Sequence, residues 1–248
     1  MKKALKILAK KMGYEIKKPS DKIGTDGIPK DITDETFIAI YNKCKDFSTC
    51  SLEPMYSLYK SVEYVVKNNI PGDLVECGVF KGGSAMMMAY TLLHFGDTTR
   101  KIYLYDTFEG MSEPTDNDVD IKGETAESLL AKGQAVCYSP IEEVKANFEN
   151  TNYPSNQVFF VKGKVEDTIP QTIPTQIALL RLDTDWYEST YHELVHLYPI
   201  LEQKGVLIID DYGHWEGSRK AVDQYFKESN IALLLNRIGY SVRVSIKT

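Results

Sequence analysis

The spacing of apolar residues along the chain changes at the Pro71-Gly72 pair. Before this point, over residues 37–66, apolar residues recur every three or four positions, as on one face of an amphipathic helix. After it, short apolar runs alternate with helical segments, which is typical of a mostly parallel sheet covered by helices on both faces. The pattern predicts an N-terminal helical extension, residues 1–70, followed by an α/β domain, residues 71–248.

The extension is expected to contain three segments. Residues 1–18 form a basic amphipathic helix in this interpretation, because lysines flank a very short apolar stretch and no small-residue cleavage site follows. Residues 19–33 are rich in Pro, Gly and Asp and are predicted as a loop. Residues 34–69 carry the helical spacing.

Five parallel strands and a terminal hairpin are predicted in the second domain. The strands are DLVECGV, KIYLYDT, VFFVKG, QIALLRLDTD and GVLIIDDYG, and the hairpin joins IALLLN to YSVRVSIK. Helices are predicted over residues 82–95, 140–150, 192–203 and 220–227. Together these elements predict a Rossmann-like fold with a mostly parallel, seven-stranded sheet that ends in an antiparallel hairpin.

Residues 109–135 form a long, polar and acidic connection inside this domain. Segments of this length within a compact domain are usually functional. We expect this one to be a lid over the site.

Composition narrows the function classes. The 29 basic and 35 acidic residues give a net charge of −6, which argues against a surface that coats nucleic acid. No apolar run approaches the roughly 20 residues that a transmembrane helix needs. The four cysteines, at positions 44, 50, 77 and 137, lack zinc-ligand spacing. Reduced thiols are the simplest account of these cysteines, so we expect a cytoplasmic protein. We also expect that the protein acts on a small molecule and that it could form a homo-oligomer.

The first predicted strand ends at Glu76 and leads into a turn with Gly78, Gly82, Gly83 and Ser84. Ligands of parallel sheets bind beyond the carboxyl ends of the strands. Glycines there let a ligand approach the backbone, and the next helix offers free N–H groups. The spacing differs from the Gly-x-Gly-x-x-Gly of dinucleotide binders. A strand-terminal glutamate suits an amine-bearing ligand better than a pyrophosphate, and a plain tight turn is the alternative.

Asp106 ends the second predicted strand. In this position its carboxylate can accept hydrogen bonds from ribose hydroxyls, although an aspartate at a strand end is often only a helix cap. Together with the glycine turn, it indicates a nucleoside ligand that needs no phosphates.

Carboxylates also follow the fourth and fifth predicted strands, at Asp183, Asp185, Asp210 and Asp211. Unpaired, these groups would repel one another and lose hydration. A hard divalent cation would resolve that, with Mg²⁺ favoured and Mn²⁺ or Ca²⁺ as substitutes. Arg181 is two positions before Asp183 and on the same face of the strand, so an ion pair is the rival explanation. Helix capping is a third.

Five blocks of the sequence together resemble the TylF/macrocin O-methyltransferase family. They are DLVECGVFKGGS, YDTFEGM, VKGKVEDTIP, LLRLDTDWYEST and LIIDDYGHWEGSRKAVDQYF, in the family's order. The resemblance covers roughly residues 54–226, while residues 1–50 match poorly and Ser218 stands where a cysteine is expected. It implies a Mg²⁺- and S-adenosyl-L-methionine-dependent enzyme that methylates a sugar hydroxyl of a natural product. A surface-polysaccharide sugar and a small phenolic acceptor stay open.

The resemblance also implies which residues contact the cofactor. Those at its methionine end are Glu76, Gly78 and Ser84, with Cys77 and Val79 beside them. Those at the ribose are Asp106 and Thr107, and those that border the adenine are Val165, Glu166 and Asp167.

Metal binding and catalysis are assigned in the same way. The implied metal ligands are Asp183, Asp210 and Asp211, of which Asp183 also borders the cofactor and takes part in catalysis. The implied general base is Asp185, with His214 as the alternative.

Two other function classes are compatible with parts of the sequence. An NAD-dependent sugar oxidoreductase would use a Tyr-x-x-x-Lys pair, and Tyr56 and Lys60 have that spacing but precede the α/β domain. A non-catalytic nucleoside-binding protein would share the fold without needing the acidic residues after the strands. The set of carboxylates therefore favours the methyltransferase.

Overall fold

The computed structural model describes residues 27–134 and 136–248. The chain divides into two compact units, residues 1–36 and 37–248, and the boundary predicted at residue 70 falls inside the second. The helix predicted over residues 1–18 lies outside the described residues, as does most of the loop predicted over 19–33. Among the described residues, no helix is both long and apolar enough to cross a membrane.

Seven strands form one sheet in the order β3-β2-β1-β4-β5-β7-β6. Their bounds are β1 Asp73–Cys77, β2 Ile102–Asp106, β3 Val158–Lys162, β4 Ile177–Leu182, β5 Leu201–Ile209, β6 Asn236–Ile238 and β7 Val242–Ile246. The first five strands run parallel, and β7 is antiparallel to both β5 and β6. The predicted Rossmann-like fold with its antiparallel hairpin is confirmed.

Eight α-helices lie among the described residues. Their bounds are α1 Glu35–Cys44, α2 Leu52–Lys67, α3 Gly83–His94, α4 Ala126–Ala131, α5 Ile141–Glu149, α6 Val165–Thr168, α7 Tyr187–Leu197 and α8 Glu216–Glu228. Short 3-10 turns occupy Lys45–Phe47 and Ser155–Gln157. Strand β4 is buried along its whole length because helices cover both faces of the sheet.

The helical region predicted over 34–69 is interrupted near the sheet. A turn after α1 leads to Ser48, whose backbone is extended, and α2 begins only at Leu52. The intervening residues are short and polar, which favours turns and helix starts over helix interiors. This interruption brings Thr49 and Cys50 to the carboxyl end of the sheet, where Thr49 lines the main cleft and Cys50 contacts Arg181.

The helix predicted over residues 192–203 is wrong in its second half. Helix α7 ends at Leu197, and Leu201 already pairs with Ile177 as the start of β5. Pro199 explains the difference, because proline has no N–H to donate to a preceding turn and disfavours helix in the residue before it.

The hairpin is shorter than predicted. Strand β6 starts at Asn236, and residues 231–235 are outside the sheet. Ile231, Leu233 and Leu235 pack against the core cluster instead. Their alternating apolar pattern therefore reflects half-burial without strand pairing.

The segment predicted as a lid is docked on α7 and α8. Met111 packs against a small cluster that includes Trp186 and Trp215. Asp118 is fully buried, and its Oδ1 accepts a hydrogen bond of 2.7 Å from the backbone N–H of Tyr187, the first residue of α7. That this segment opens and closes stays a prediction.

Replacing Asp118 with alanine is expected to loosen this segment. The substitution leaves the amino end of α7 without its side-chain acceptor, a loss of about 1 kcal/mol for helix caps. We expect a lower free energy of unfolding in urea and faster proteolysis within residues 109–134. Asp116→Ala, at an exposed position in the same segment, is the control. Equal cleavage rates in Asp118→Ala and the unsubstituted protein would mean that other contacts hold the segment.

Candidate active site

A cleft opens at the carboxyl ends of the five parallel strands. Strands β1 and β4 are neighbours in the sheet, so the cleft lies where the strand order reverses, the usual ligand position in such folds. The predicted site residues that line it are Gly78, Asp106, Thr107, Val165, Glu166, Asp183, Asp185, Asp210 and Asp211. The predicted residues outside its lining are Glu76, Cys77, Val79, Ser84, Asp167 and His214.

Arg181 is the buried charge at the centre of this region, with 2% of its surface exposed. Its Nη1 donates to Glu76 Oε1 at 2.7 Å and to Asp183 Oδ2 at 2.8 Å. Its Nη2 donates to Asp210 Oδ1 at 2.7 Å and contacts Cys50 Sγ at 3.1 Å. A guanidinium removed from water needs such partners. The ion pair that rivalled a metal in the sequence interpretation is therefore present.

Glu76 lies beside Arg181 in the register of β1 and β4 and is fully buried. Burial raises the pKa of its carboxyl, and the Arg181 charge opposes that rise. Its Oε2 has no hydrogen-bond partner among the described residues. Glu76 thus pairs with Arg181 from the neighbouring strand, and its contact with the methionine end of a cofactor stays a prediction.

One arginine does not neutralise the carboxylates around it. Asp211 is 7% exposed and makes no ion pair within residues 27–134 and 136–248. Burial raises the pKa of its carboxyl well above the usual range, and the charges of Asp185 and Asp210 add to the rise. Burial also raises the pKa of Asp183 well above its usual range, although Arg181 opposes it. The region therefore holds more carboxyl groups than Arg181 alone can keep ionised.

The donor set fits a hard cation. Asp183, Asp210 and Asp211 each offer one oxygen, and these three atoms lie within 4.8 Å of one another. Carboxylate oxygens suit hard divalent cations such as Mg²⁺, which usually binds through one or two carboxylates and keeps several waters. Arg181 takes one oxygen of Asp183 and one of Asp210, so each retains a second oxygen. An ion pair and a metal can therefore share these residues.

Asp185 has the environment of a proton acceptor. Burial, with the nearby Asp183 charge, raises its pKa to about 7. Its Oδ1 accepts a hydrogen bond of 2.6 Å from Trp215 Nε1, which fixes the direction of the carboxyl. Its φ of 68° is in the left-handed region, a strained conformation that is common at functional sites. A carboxyl that changes protonation near neutral pH is suited to general-base catalysis.

His214, the alternative base, lies apart from the cleft. Its Nδ1 is 3.1 Å from the hydroxyl oxygen of Tyr240, in the hairpin turn. Burial lowers the pKa of its imidazole. The geometry favours Asp185 as the base.

Asp106 holds the backbone of the first turn. Its Oδ2 accepts from the N–H groups of Val79 at 2.7 Å and Phe80 at 3.1 Å, and its Oδ1 accepts from Phe108 N–H at 2.7 Å. A carboxylate has about four acceptor positions, and the fourth donor, the Thr107 hydroxyl, is a distant one at 3.5 Å from Oδ1 that a ligand hydroxyl could replace. The predicted ribose contact is compatible with this arrangement and stays a prediction.

Gly78 is required by the packing of the strand ends. Its φ is 85°, and a Cβ at this position would overlap the backbone carbonyl of Asp183. The glycine therefore allows β1 and β4 to end side by side, which sets the position of Asp183.

Glu193, in α7, is a buried group that the sequence interpretation missed. It is 0% exposed, and its Oε1 accepts a hydrogen bond of 2.9 Å from Thr184 Oγ1. Thr184 lies between the two aspartates that follow β4, so this bond holds their loop. The available signal was an acidic residue on the apolar face of a helix, between Thr190, Leu194 and Leu197, all of them buried.

Comparison with known proteins identifies the family. Residues 47–243 match the family model described as Macrocin-O-methyltransferase (TylF). The chain belongs to this family. Its matched region extends beyond the five blocks at both ends, and the resemblance drawn from those blocks is confirmed.

Two curated relatives of this TylF-family chain are enzymes of Streptomyces. The Streptomyces olivaceus protein named 8-demethyl-8-(2,3-dimethoxy-alpha-L-rhamnosyl)-tetracenomycin-C 4'-O-methyltransferase is 40% identical over 174 residues, which are 70% of this chain and 65% of that relative. The Streptomyces niveus demethyldecarbamoylnovobiocin O-methyltransferase is 34% identical over 181 residues, 73% of this chain and 68% of that relative. The first match thus spans just under two thirds of the relative's length.

A solved structure supports the fold assignment. The O-methyltransferase NovP superposes with a TM-score of 0.72 at 32% identity, over 82% of each chain. The TylF-family chain therefore has a Rossmann-like methyltransferase fold.

Glu193→Gln is expected to change how stability depends on pH. Burial raises the pKa of Glu193 well above its ordinary 4.5, so the folded protein favours the protonated carboxyl. Its contribution is fully present below that ordinary value and is lost as pH rises towards the raised pKa, by up to about 1.4 kcal/mol per pH unit. Glutamine does not ionise. The variant should therefore gain in free energy of unfolding over the unsubstituted protein as the pH rises above about 5.

Urea titrations at several pH values measure this difference. Glu188→Gln, at an exposed position on the same helix, is the control and should show a flat difference. A flat difference for Glu193→Gln as well would mean that its carboxyl ionises normally in the fold.

Proposed function

We propose that this protein is an S-adenosylmethionine-dependent O-methyltransferase that methylates a sugar hydroxyl with the help of Mg²⁺. The observation that carries the proposal is the surplus of carboxylates at the sheet edge, beside a cleft, in a chain of the TylF family. A cytoplasmic location and a homo-oligomeric state stay predictions.

The cleft offers two differently lined regions for two reactants. Asp106, Thr107, Val165 and Glu166 line one part, and we assign the ribose and adenine of S-adenosylmethionine to it. The aspartates after β4 and β5 line the other part, and we assign the acceptor hydroxyl to it.

Different residues then have different roles in methyl transfer. A bound Mg²⁺ would lower the pKa of a coordinated hydroxyl and fix its direction. Asp185 accepts the hydroxyl proton, and Trp215 orients its carboxyl. Arg181 holds Asp183 and Asp210 in their positions. The oxygen attacks the methyl group in line with the departing sulfur, so that the sulfonium becomes a neutral thioether. Holding both reactants in this geometry lowers the activation free energy by up to about 7–11 kcal/mol.

A sugar acceptor is favoured over a phenolic one. The name of the Streptomyces olivaceus relative specifies a rhamnosyl group, and this relative is 40% identical over the matched residues. A small phenolic acceptor is the second candidate, carried over from the sequence interpretation, and an assay with both classes separates the two.

S-adenosylmethionine and S-adenosylhomocysteine are expected to bind with micromolar affinity, as enzyme ligands commonly do. Isothermal calorimetry measures this directly, with NAD as the control ligand. Heat from NAD, and none from either sulfur ligand, would replace the methyltransferase proposal with a dinucleotide-dependent one.

Asp211→Asn is the sharpest test of the metal. Arg181 pairs with Asp183 and Asp210 but not with Asp211, so this substitution leaves the ion pairs intact. We expect loss of methyl transfer while the fold and S-adenosylmethionine binding survive. In the unsubstituted enzyme, a chelator should remove activity and Mg²⁺ should restore it.

The exposed substitution Asp116→Asn should leave methyl transfer unchanged. Full activity in excess chelator would refute the metal and support a mechanism through the base Asp185 alone.

A further inference from the structure

Three arginines form an unpaired positive patch on the carboxyl side of the sheet. They are Arg219 in α8, Arg237 in β6 and Arg243 in β7, called the arginine patch below. None of them makes an ion pair with a carboxylate in the part of the chain that the structure describes. In a protein of net charge −6, such a patch is unusual because acidic partners are abundant.

Two of the arginines face each other across the hairpin. Arg237 and Arg243 are direct partners in the register of β6 and β7, so their side chains leave the same face. Like charges in directly opposite positions destabilise a strand pair. The hairpin therefore carries a repulsion that an anion between the two side chains would relieve.

Arg219 joins them at the ring of Tyr212. The Cζ of Arg219 is 5.6 Å from the ring centre, and the Cζ of Arg243 is 4.8 Å from it. The hydroxyl of Tyr212 donates to Asp223 Oδ1 at 2.8 Å, so this acid of α8 is engaged by the tyrosine. Burial lowers the pKa of Arg243, and the charges of Arg237 and Arg219 lower it further. The three guanidinium groups thus influence one another.

The hydrogen bonds of the patch leave donors free. Arg219 gives one N–H to the carbonyl of Tyr212, and Arg237 gives two to the hairpin turn. Arg243 uses only its Nη1, towards the carbonyls of Ser241 and Val242. Each guanidinium has five N–H donors in a planar fork that matches phosphate oxygens. The patch can therefore bind an anion without breaking its own contacts.

The patch is next to the acceptor side of the cleft. Arg243 lies opposite Ile209, the last residue of β5, and Asp210 and Asp211 follow directly. The N–H of Gly213 donates to the carbonyl of Ser241 at 2.9 Å, which ties the loop after β5 to the hairpin turn. Strands lie about 4.8 Å apart, so β7 is about 10 Å from β4 and its aspartates.

We propose that the arginine patch binds a phosphate or diphosphate group on the acceptor, so that the sugar is methylated while it is attached to a phosphate carrier. This inference rests on the proposed function, because it assigns the sugar to the aspartates and its phosphate linkage to the arginines. A diphosphate matches the patch better than a single carboxylate does, since it presents several oxygens to two or three guanidinium forks.

Calorimetry with inorganic phosphate, inorganic pyrophosphate and uridine diphosphate tests the site without an identified acceptor. We expect pyrophosphate and uridine diphosphate to bind more tightly than phosphate. The double variant Arg237→Gln/Arg243→Gln should weaken pyrophosphate binding by about tenfold or more, as expected for the loss of charge-assisted hydrogen bonds. Arg243→Lys should retain part of the affinity, because it keeps the charge and loses the fork.

The matched control is Lys67→Gln/Lys145→Gln, which removes two charges, one at an exposed position on α2 and one at a half-buried position on α5, and should leave pyrophosphate binding unchanged. Tighter binding of uridine diphosphate than of pyrophosphate would indicate a nucleotide carrier, and equal binding a simple phosphate linkage. Absence of pyrophosphate binding, or equal binding in the double variant, overturns the proposal. S-adenosylmethionine binding in the same samples reports separately on the methyltransferase assignment.

Discussion

The burial of one guanidinium at the carboxyl end of β4 is the constraint on which this site depends. Arg181 lies in the central part of the sheet, where water does not hydrate it, so its charge must be met by protein oxygens. Glu76 meets it from β1, Asp183 from the end of β4 and Asp210 from the end of β5. These contacts offset the cost of burying the guanidinium, and they also align the ends of three strands.

This constraint also explains why two carboxyl groups of the site stay without an ion pair to Arg181. Arg181 supplies one positive charge, and its ion pairs do not include Asp185 or Asp211. Those two carboxyls lie close together, with the backbone N–H of Asp185 donating to Asp211 Oδ2 at 3.1 Å. Burial therefore keeps their pKa values high, and a cation or a shared proton lowers the cost of holding them together. A methyltransferase can use both effects, one to activate a hydroxyl and one to accept its proton.

Many residues of this site could be predicted from the sequence, because the residues that follow parallel strands lie at the same edge of the sheet. Asp106, Asp183 and Asp210 could be placed at one edge because each follows a strand that is predicted to be parallel to the others. The role of Asp106 in holding backbone N–H groups was not accessible, since it depends on the positive φ of Phe80 and the tight turn around it.

The sequence also did not predict contacts between residues far apart in the chain, or the residue at which a helix ends. The spacing of Arg181 and Asp183 suggested one ion pair, but the bonds to Glu76 and Asp210 depend on strand register. Glu193 was missed because an acid on an apolar helix face has no local signal of its partner, Thr184. The end of α7 was misjudged because apolar residues continue in a helical spacing past Pro199 into β5.

Titration of metal-free protein with Mn²⁺, followed by the electron paramagnetic resonance signal of the free ion, tests most directly whether a cation completes this carboxylate set. One Mn²⁺ should bind per chain, Mg²⁺ should displace it, and Asp211→Asn should weaken the binding while the ion pairs of Arg181 persist. Absence of bound Mn²⁺, or binding that Asp211→Asn leaves unchanged, would contradict a metal at these residues and leave Arg181 as the counter-charge that the described residues supply.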